Sequence, residues 1–372
     1  MTDAIGPPEA EAGGILTIDL AAIVANWRAL GKRAALARCA AVIKADGYGC
    51  GIEQVAGALA KAGCETFFVA NLAEARRARA AATDATIYSL NGLLPGTAPA
   101  YAEANLRPVI GSRAELEEWN AFRAATGWRG GAALHIDTGM NRLGFALDEA
   151  ADLASRLGND PGIALVMSHF ACSEEDHPLN VLQIERFRDV RGKFAEISGS
   201  LANSSGIFLG PDAHHDLVRP GVALYGANPT PGKPNPMQPV VTLEGRVVQL
   251  RSVEKGATVG YSATWTAKRS TRLAVASVGY ADGFLRAASA SDARPGAEAI
   301  VAGQRSPLAG RVSMDLIAID VTDLPPDQPK RGDLVGLLGP EIGVDDLAAR
   351  AGTIGYEVLT SLGRRYRRIY RA

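Results

Sequence analysis

The sequence predicts an α/β chain: an N-terminal (β/α)8, TIM-like barrel followed by a C-terminal, mostly β domain. Three observations carry this. Eight short apolar runs (AVIK, TFFVAN, TIYSLNG, RPVIG, ALHIDTG, ALVMSHF, SLANSS and LVRPGVALYG) recur with helix-like stretches between them. Strands alternating with helices imply parallel pairing through right-handed crossovers, and eight of them suggest a closed barrel. The segment NPTPGKPNPMQP, residues 228–239, is too rich in proline for a helix or interior strand, and beyond it the alternation changes to β-rich runs.

In chain order, residues 1–14 (MTDAIGPPEAEAGG) are acidic with Pro and Gly and read as a flexible arm. ILTIDL then reads as a strand and LAAIVANWRALGKRA as a one-sided helix. The barrel is assigned to residues 15–235, with its N-terminal strand free to join the other domain. Amphipathic helices are expected at IEQVAGALAKAG, AEARRARAAA, SRAELEEWNAFRAA and NVLQIERFRDVRGKFAE. Residues 236–372 form the C-terminal domain. VVTLEGRVVQLRSV, LAVASVGYADG, EAIVAGQ and SMDLIAIDVTDL are its strand candidates, with short helices at VDDLAARAG and near TIGYEVLTSL.

Composition excludes several classes. Of 372 residues, 47% are hydrophobic and 21% charged, the range of ordinary globular chains. With 39 Lys+Arg against 40 Asp+Glu, no net field favours nucleic acid or an acidic membrane. No apolar run approaches the roughly 20 residues of a membrane helix. Cys39, Cys50, Cys64 and Cys172 lack metal-ligand spacing and read as reduced packing residues, so no metal is expected. The acidic start lacks the features of a secretion signal, and the location expected is cytoplasmic.

Functional groups of a (β/α)8 barrel gather at the C-terminal ends of its strands. Lys44 ends the first run. A desolvated lysine there would have the lowered pKa that Schiff-base chemistry with an aldehyde requires. Other strand ends offer Arg142, His169, Asn203, Ser204 and Arg219. Gly221 and Val222 supply backbone N–H groups able to hold a phosphate, with the Ser204 hydroxyl as a further donor. A phosphate-bearing aldehyde cofactor would join these facts.

Several motifs lead elsewhere and are set aside. DTG at 137–139 occurs once, whereas aspartic proteases pair two such loops. The glycines of GYGCGIEQVAG miss the dinucleotide-binding register. Adjacent His214 and His215 read as a surface loop, and RRYRRIYRA as an amphipathic, salt-bridged final strand.

From about residue 15 onward the chain resembles the alanine racemase family, on AVIKADGYG, DTGMNRLG, SHFA, LANSS, VRPGVALYG, GYSAT, VGYADG, GRVSMD and GYEVLTSLGRRYRRIY. The resemblance implies a pyridoxal 5'-phosphate enzyme. Lys44 would hold the cofactor as an internal aldimine and serve as one base; Tyr261 of a partner subunit would be the other, acting on the opposite face of an external aldimine. Tyr48, Ser204, Gly221, Val222 and Tyr356 would hold the phosphate, with His169 and Asn203 also at the cofactor and Arg219 facing the pyridine nitrogen. Arg142 and the Met314 backbone of the partner would engage the substrate carboxylate, with Tyr280, His135 and Asp315 in support. His135 stands where many members carry a lysine, often carbamylated. Ser313 replaces a frequent cysteine, and Ser200 a histidine found in some relatives.

Two opposed bases suit racemisation, which needs proton removal on one face and return on the other. Arg219 cannot give its proton to the ring nitrogen, which weakens the cofactor as an electron sink and predicts suppressed transamination. The function expected is interconversion of L- and D-alanine, supplying peptidoglycan, by a homodimer whose active sites are shared between subunits. The rivals are a broader serine-type racemase, a non-catalytic cofactor-binding protein, and a decarboxylase, which would need a cysteine that does not occur after Cys172.

Overall fold

The computed structural model describes residues 3–157, 160 and 162–372. Contacts divide the chain into two units, residues 23–224 with 228–237, and residues 1–22 with 225–227 and 238–372.

In the first unit, seven parallel strands follow one another in sequence order: Ala41–Val42, Thr66–Val69, Thr86–Ser89, Arg107–Ile110, Ala132–His135, Ile163–Met167 and Ser198–Ser200. Their buried side chains are nearly continuous, as expected of strands covered on both faces. Leu217–Val218 completes the ring. It pairs parallel with Arg38–Cys39, and Ala40 N–H and Val42 N–H donate to the Val218 and Pro220 carbonyls at 2.9 Å each. On its other side Asp216 N–H donates to Gly199 O (3.0 Å) and Arg219 N–H to Ala202 O (2.9 Å). The eight expected runs therefore form a closed barrel.

The crossovers follow local signals. Asn71 and Ser112 cap the helices Leu72–Ala81 and Arg113–Thr126 by accepting from Glu74 N–H and Glu115 N–H, and Gly127 ends the second in a left-handed conformation. His177 caps Pro178–Lys193, where proline occupies the first turn. Between the seventh and eighth strands only the short 3-10 turns Gly206–Phe208 and Pro211–Ala213 occur. Phe67, Phe68, Trp119, Phe145, Phe170 and Phe187 are fully buried and fill this unit.

The second unit is a nine-stranded sheet in which Val241–Val253 is central. The first half of this long strand pairs antiparallel with Gly14–Asp19 and Leu334–Leu338. Past a register shift between Val247 and Gln249, its second half pairs with Thr271–Ala276. Gly14–Asp19 thus belongs with this sheet, lying parallel to Arg367–Arg371. The expectation of a flexible arm is corrected for its described part. Asp3–Ile5 is a strand antiparallel to Arg368–Tyr370, and Glu9–Glu11 is a 3-10 turn, because the edge of the final strand offers unpaired main-chain groups. Met1 and Thr2 lie outside the described residues.

The final strand alternates buried and partly exposed side chains as expected. Of the arginines in this stretch, Arg365 is ion-paired to Asp282 (3.1 Å) and Asp315 (2.8 Å), as expected, while Arg367 also donates to Pro7 O and Arg368 to Leu362 O and Gly363 O. The surface-loop reading of the paired histidines is also corrected. His214 is buried with Nε2 2.9 Å from Ile207 O, and His215 meets the Phe187 ring edge-on at 4.8 Å.

Candidate active site

Lys44 begins a short turn, Lys44–Tyr48, directly after the first barrel strand. Four consecutive residues after it are left-handed, with φ of 52° at Ala45, 56° at Asp46, 62° at Gly47 and 51° at Tyr48. Three are not glycine, and each such residue costs roughly 1–2 kcal/mol. Main-chain bonds from Gly47 N–H to Ile43 O (2.9 Å), Gly49 N–H to Ala45 O (2.8 Å) and Gly51 N–H to Asp46 O (2.8 Å) offset part of this cost. Burial lowers the Lys44 pKa and the nearby Arg142 charge lowers it further, while Glu74 opposes both.

The turn also buries Tyr48, which is 4% exposed and whose hydroxyl is pushed upward in pKa by desolvation, so it stays protonated as a donor. This hydroxyl faces Gly221: a Cβ built there would lie 2.4 Å from the Tyr48 Oη. Ser204 Oγ accepts from Gly221 N–H (2.9 Å) and Ala223 N–H (3.3 Å), and Val222–Tyr225 is a short 3-10 turn. Two hydroxyls and the main-chain amides of residues 221–223 are thereby gathered where glycine leaves room. This donor set fits a phosphate.

Arg219 is 3% exposed and forms no ion pair among the described residues. Its charge is solvated by neutral oxygens: Nη1 donates to Ser200 Oγ, and Nη2 to Ser168 O (2.6 Å) and Leu201 O (3.3 Å). Burial pulls its pKa down to about 9, still above neutrality, so the guanidinium stays charged at pH 7. The Nδ1 of His169 lies 3.4 Å from the same Nη2. Burial and the charges of Arg219, Lys44 and Arg142 hold His169 neutral.

Arg142 is carried by the loop after Ala132–His135. The Asp137 carboxylate shapes that loop, accepting from the N–H groups of Gly139 and Met140 (2.8 Å each) and of Asn141 (2.7 Å). The Asp of DTG is therefore a loop organiser. Arg142 is exposed and, with His135, Glu115 and Gly111, lines a cavity of about 310 Å³. Burial, followed by the Arg219 charge, pushes the His135 pKa to about 4, so the imidazole is neutral at pH 7. No hydrogen bond joins His135 to Arg142 among the described residues. Asn203, expected at the cofactor, accepts through Oδ1 from Ser173 Oγ (2.9 Å) and Gly206 N–H (2.8 Å), bracing the loop that follows its strand.

The remaining predicted residues lie in the other unit. Tyr261, Tyr280 and Met314 are 67%, 41% and 52% exposed. Asp315 accepts from Arg365 Nη1 (2.8 Å), and Tyr356 lies in the helix Gly355–Ser361. Sequence reasoning missed Glu74, whose Asn71-x-x-Glu74 pattern reads only as a helix cap. It also missed Thr138, Ser168 and Gln183, a buried chain of hydrogen bonds under the His169 loop.

Comparison with known proteins shows the family. Residues 18–229 match the family model "Alanine racemase, N-terminal domain" and residues 240–370 "Alanine racemase, C-terminal domain". An alanine racemase of Methylobacterium sp. (strain 4-46) is 54% identical, covering 96% of this chain and 98% of its own. A catabolic alanine racemase of Mesorhizobium japonicum is 49% identical over 100% and 99%, and a biosynthetic one of Agrobacterium fabrum 46% over 95% and 93%. The crystal structure of alanine racemase from Bartonella henselae with covalently bound pyridoxal phosphate matches with a TM-score of 0.90 at 38% identity, covering 97% of this chain and 100% of that one. With both domains matched in order and nearly the whole chain aligned, the protein belongs to the alanine racemase family.

Proposed function

We propose that this chain interconverts L- and D-alanine with Lys44 and Tyr261 as its two bases, and that it works as a cytoplasmic homodimer supplying D-alanine for peptidoglycan. The observation that carries the site assignment is the convergence, in one barrel, of the desolvated Lys44, the charged and carboxylate-free Arg219, and the Tyr48, Ser204 and Gly221 donors. Family membership carries the reaction and the cofactor.

Pyridoxal phosphate, when bound, supplies the aldehyde for the amino group and an electron-withdrawing ring that acidifies the substrate Cα–H. Each remaining role belongs to a residue of this chain. Lys44 Nζ, its pKa lowered by burial and by Arg142, takes up or returns a proton on one face. Tyr261 Oη does so on the opposite face, and its 67% exposure on its own unit leaves it free to serve a second copy of the chain. Arg142 is unpaired by carboxylates among the described residues and receives the substrate carboxylate. Arg219 keeps its protons at pH 7, so it donates hydrogen bonds without protonating the ring. Tyr48, Ser204 and the amides of Gly221 and Val222 hold the phosphate.

The test is incubation of purified protein with pyridoxal phosphate and L-alanine, following D-alanine by chiral chromatography, with L-serine in parallel. D-alanine forming much faster than D-serine, and vanishing in Lys44→Ala, is the expected result. Comparable serine turnover would overturn the substrate assignment. Cofactor binding without racemisation would overturn the catalytic one.

A further inference from the structure

The left-handed turn after Lys44 needs more than its own main-chain bonds. One carboxylate outside the described set of donors grips it. Glu74 Oε1 accepts from Ala45 N–H at 2.8 Å, and Glu74 Oε2 accepts from Ala70 N–H, also at 2.8 Å. Ala45 is the residue after Lys44, and Ala70 follows the neighbouring strand Thr66–Val69. A second brace holds the next residue: Asp46 Oδ1 accepts from Arg77 Nη2 (2.7 Å) and from Ile52 N–H (3.2 Å), while Arg77 Nε donates to Glu53 Oε1 (2.6 Å). Glu74 and Arg77 sit on one helix, Leu72–Ala81, so a single element holds the first two residues of the strained stretch.

We propose that Glu74 is a positioning residue for Lys44. Its carboxylate ties the amide beyond the lysine to the adjacent strand, with Arg77 and Asp46 completing the clamp, so that the left-handed turn presents Nζ in one place. The proposal rests on the reading that Lys44 captures the cofactor. The bonds are charge-assisted, stronger than amide–carbonyl bonds, and suit backbone that would otherwise relax from a disfavoured conformation. Glu74 has a second effect through its charge. The charged and titratable groups felt by Lys44 are Arg142, Glu74 and His169, and Glu74 is the one that favours the ammonium form.

The experiment uses the apoprotein with pyridoxal 5'-phosphate as the probe. The rate of covalent capture is followed by visible absorbance across pH 6–10, and the modified lysine is located by borohydride trapping and peptide mapping. Wild type, Glu74→Gln, Glu74→Ala and Lys44→Ala are compared, with melting temperatures measured alongside. In Glu74→Gln the plateau rate falls roughly tenfold, equivalent to about 1.4 kcal/mol, and the midpoint of the pH profile moves down because the carboxylate that favoured the ammonium is gone. Amide hydrogen exchange across residues 45–48 speeds up in the same variant. If Glu74→Ala does not fold, Glu74→Gln, which is isosteric, still decides the matter.

A wild-type plateau and midpoint in Glu74→Gln, with capture abolished in Lys44→Ala, would overturn the proposal alone. An unmoved midpoint with a plateau loss matched by a fall in melting temperature would reduce Glu74 to an ordinary brace of the fold and overturn it too. Capture that survives in Lys44→Ala would instead overturn the underlying reading of Lys44.

Discussion

Gly221→Ala tests the phosphate cradle through a single methyl group. The added Cβ would lie 2.4 Å from Tyr48 Oη, 3.1 Å from its Cζ and 3.5 Å from Val42 Cβ. The first contact is about 1 Å inside ordinary van der Waals separation, and overpacking of this kind costs about 1–3 kcal/mol. Tyr48 cannot yield cheaply, since it is 4% exposed and its backbone is fixed at a φ of 51°. For a cost of about 2 kcal/mol the melting temperature of a unit this size falls by roughly 4–8 °C. Displacement of the hydroxyl removes a donor to an anionic group, which weakens pyridoxal phosphate binding by about tenfold or more.

The control is Tyr48→Phe, which deletes the oxygen the methyl would strike. In that background Gly221→Ala costs much less, giving a coupling of about 1 kcal/mol, whereas independent sites add to within about 0.5 kcal/mol. The assays are calorimetric melting of the four apoproteins and cofactor titration by absorbance. Additive effects, or a Gly221→Ala protein that melts and binds like wild type, would refute the placement of Tyr48 against Gly221.

His135 supplies a pH prediction with a definite sign. Its folded pKa is lowered from 6.5 to about 4, so the unfolded chain binds the proton more readily and protonation favours unfolding. Its stability contribution is complete above pH 6.5, declines on acidification and levels off below about pH 4, with a span of at most about 3 kcal/mol. His135→Gln flattens that part of the stability profile, readable by urea titration at successive pH values; an unchanged profile would contradict the burial of a neutral imidazole. Arg219→Met leaves the carbonyls of Ser168 and Leu201 and the Ser200 hydroxyl without this donor, and calorimetry should show a loss of about 1–3 kcal/mol. Tyr261→Phe, at an exposed position, keeps stability within about 0.5 kcal/mol and retains cofactor capture, yet lowers racemisation by about 10²–10⁴ in a chiral assay.

The barrel was legible because its signals are local. Runs such as TFFV and ALVM are apolar enough to be strands buried on both faces, and Asn71, Ser112 and Gly127 punctuate the helices between them. Strand ends in turn located Lys44, His169, Ser204 and Arg219, since a closed parallel barrel leaves its functional groups at one rim. Asn203 was named from the same rim; that its carbonyl oxygen also braces Ser173 and Gly206 is a contact between neighbouring loops that residue type does not reveal. His214 looked like surface for the same reason. Whether an imidazole finds a buried carbonyl such as that of Ile207 depends on a loop's path, which its polarity does not disclose.

Periodicity, turn chemistry and the residues at strand ends are properties of short stretches, and the sequence by itself determined the (β/α)8 cadence, the β-rich remainder and the placing of Lys44, Ser204 and Arg219 at strand ends. Tertiary structure decided which sheet Gly14–Asp19 enters, how Asp3–Ile5 finds the last strand, and that Glu74 closes on the amide of Ala45 from 29 positions away. These pairings join groups distant in sequence, and each depends on main-chain donors and acceptors that every residue shares. Only the folded path of the chain selects among them.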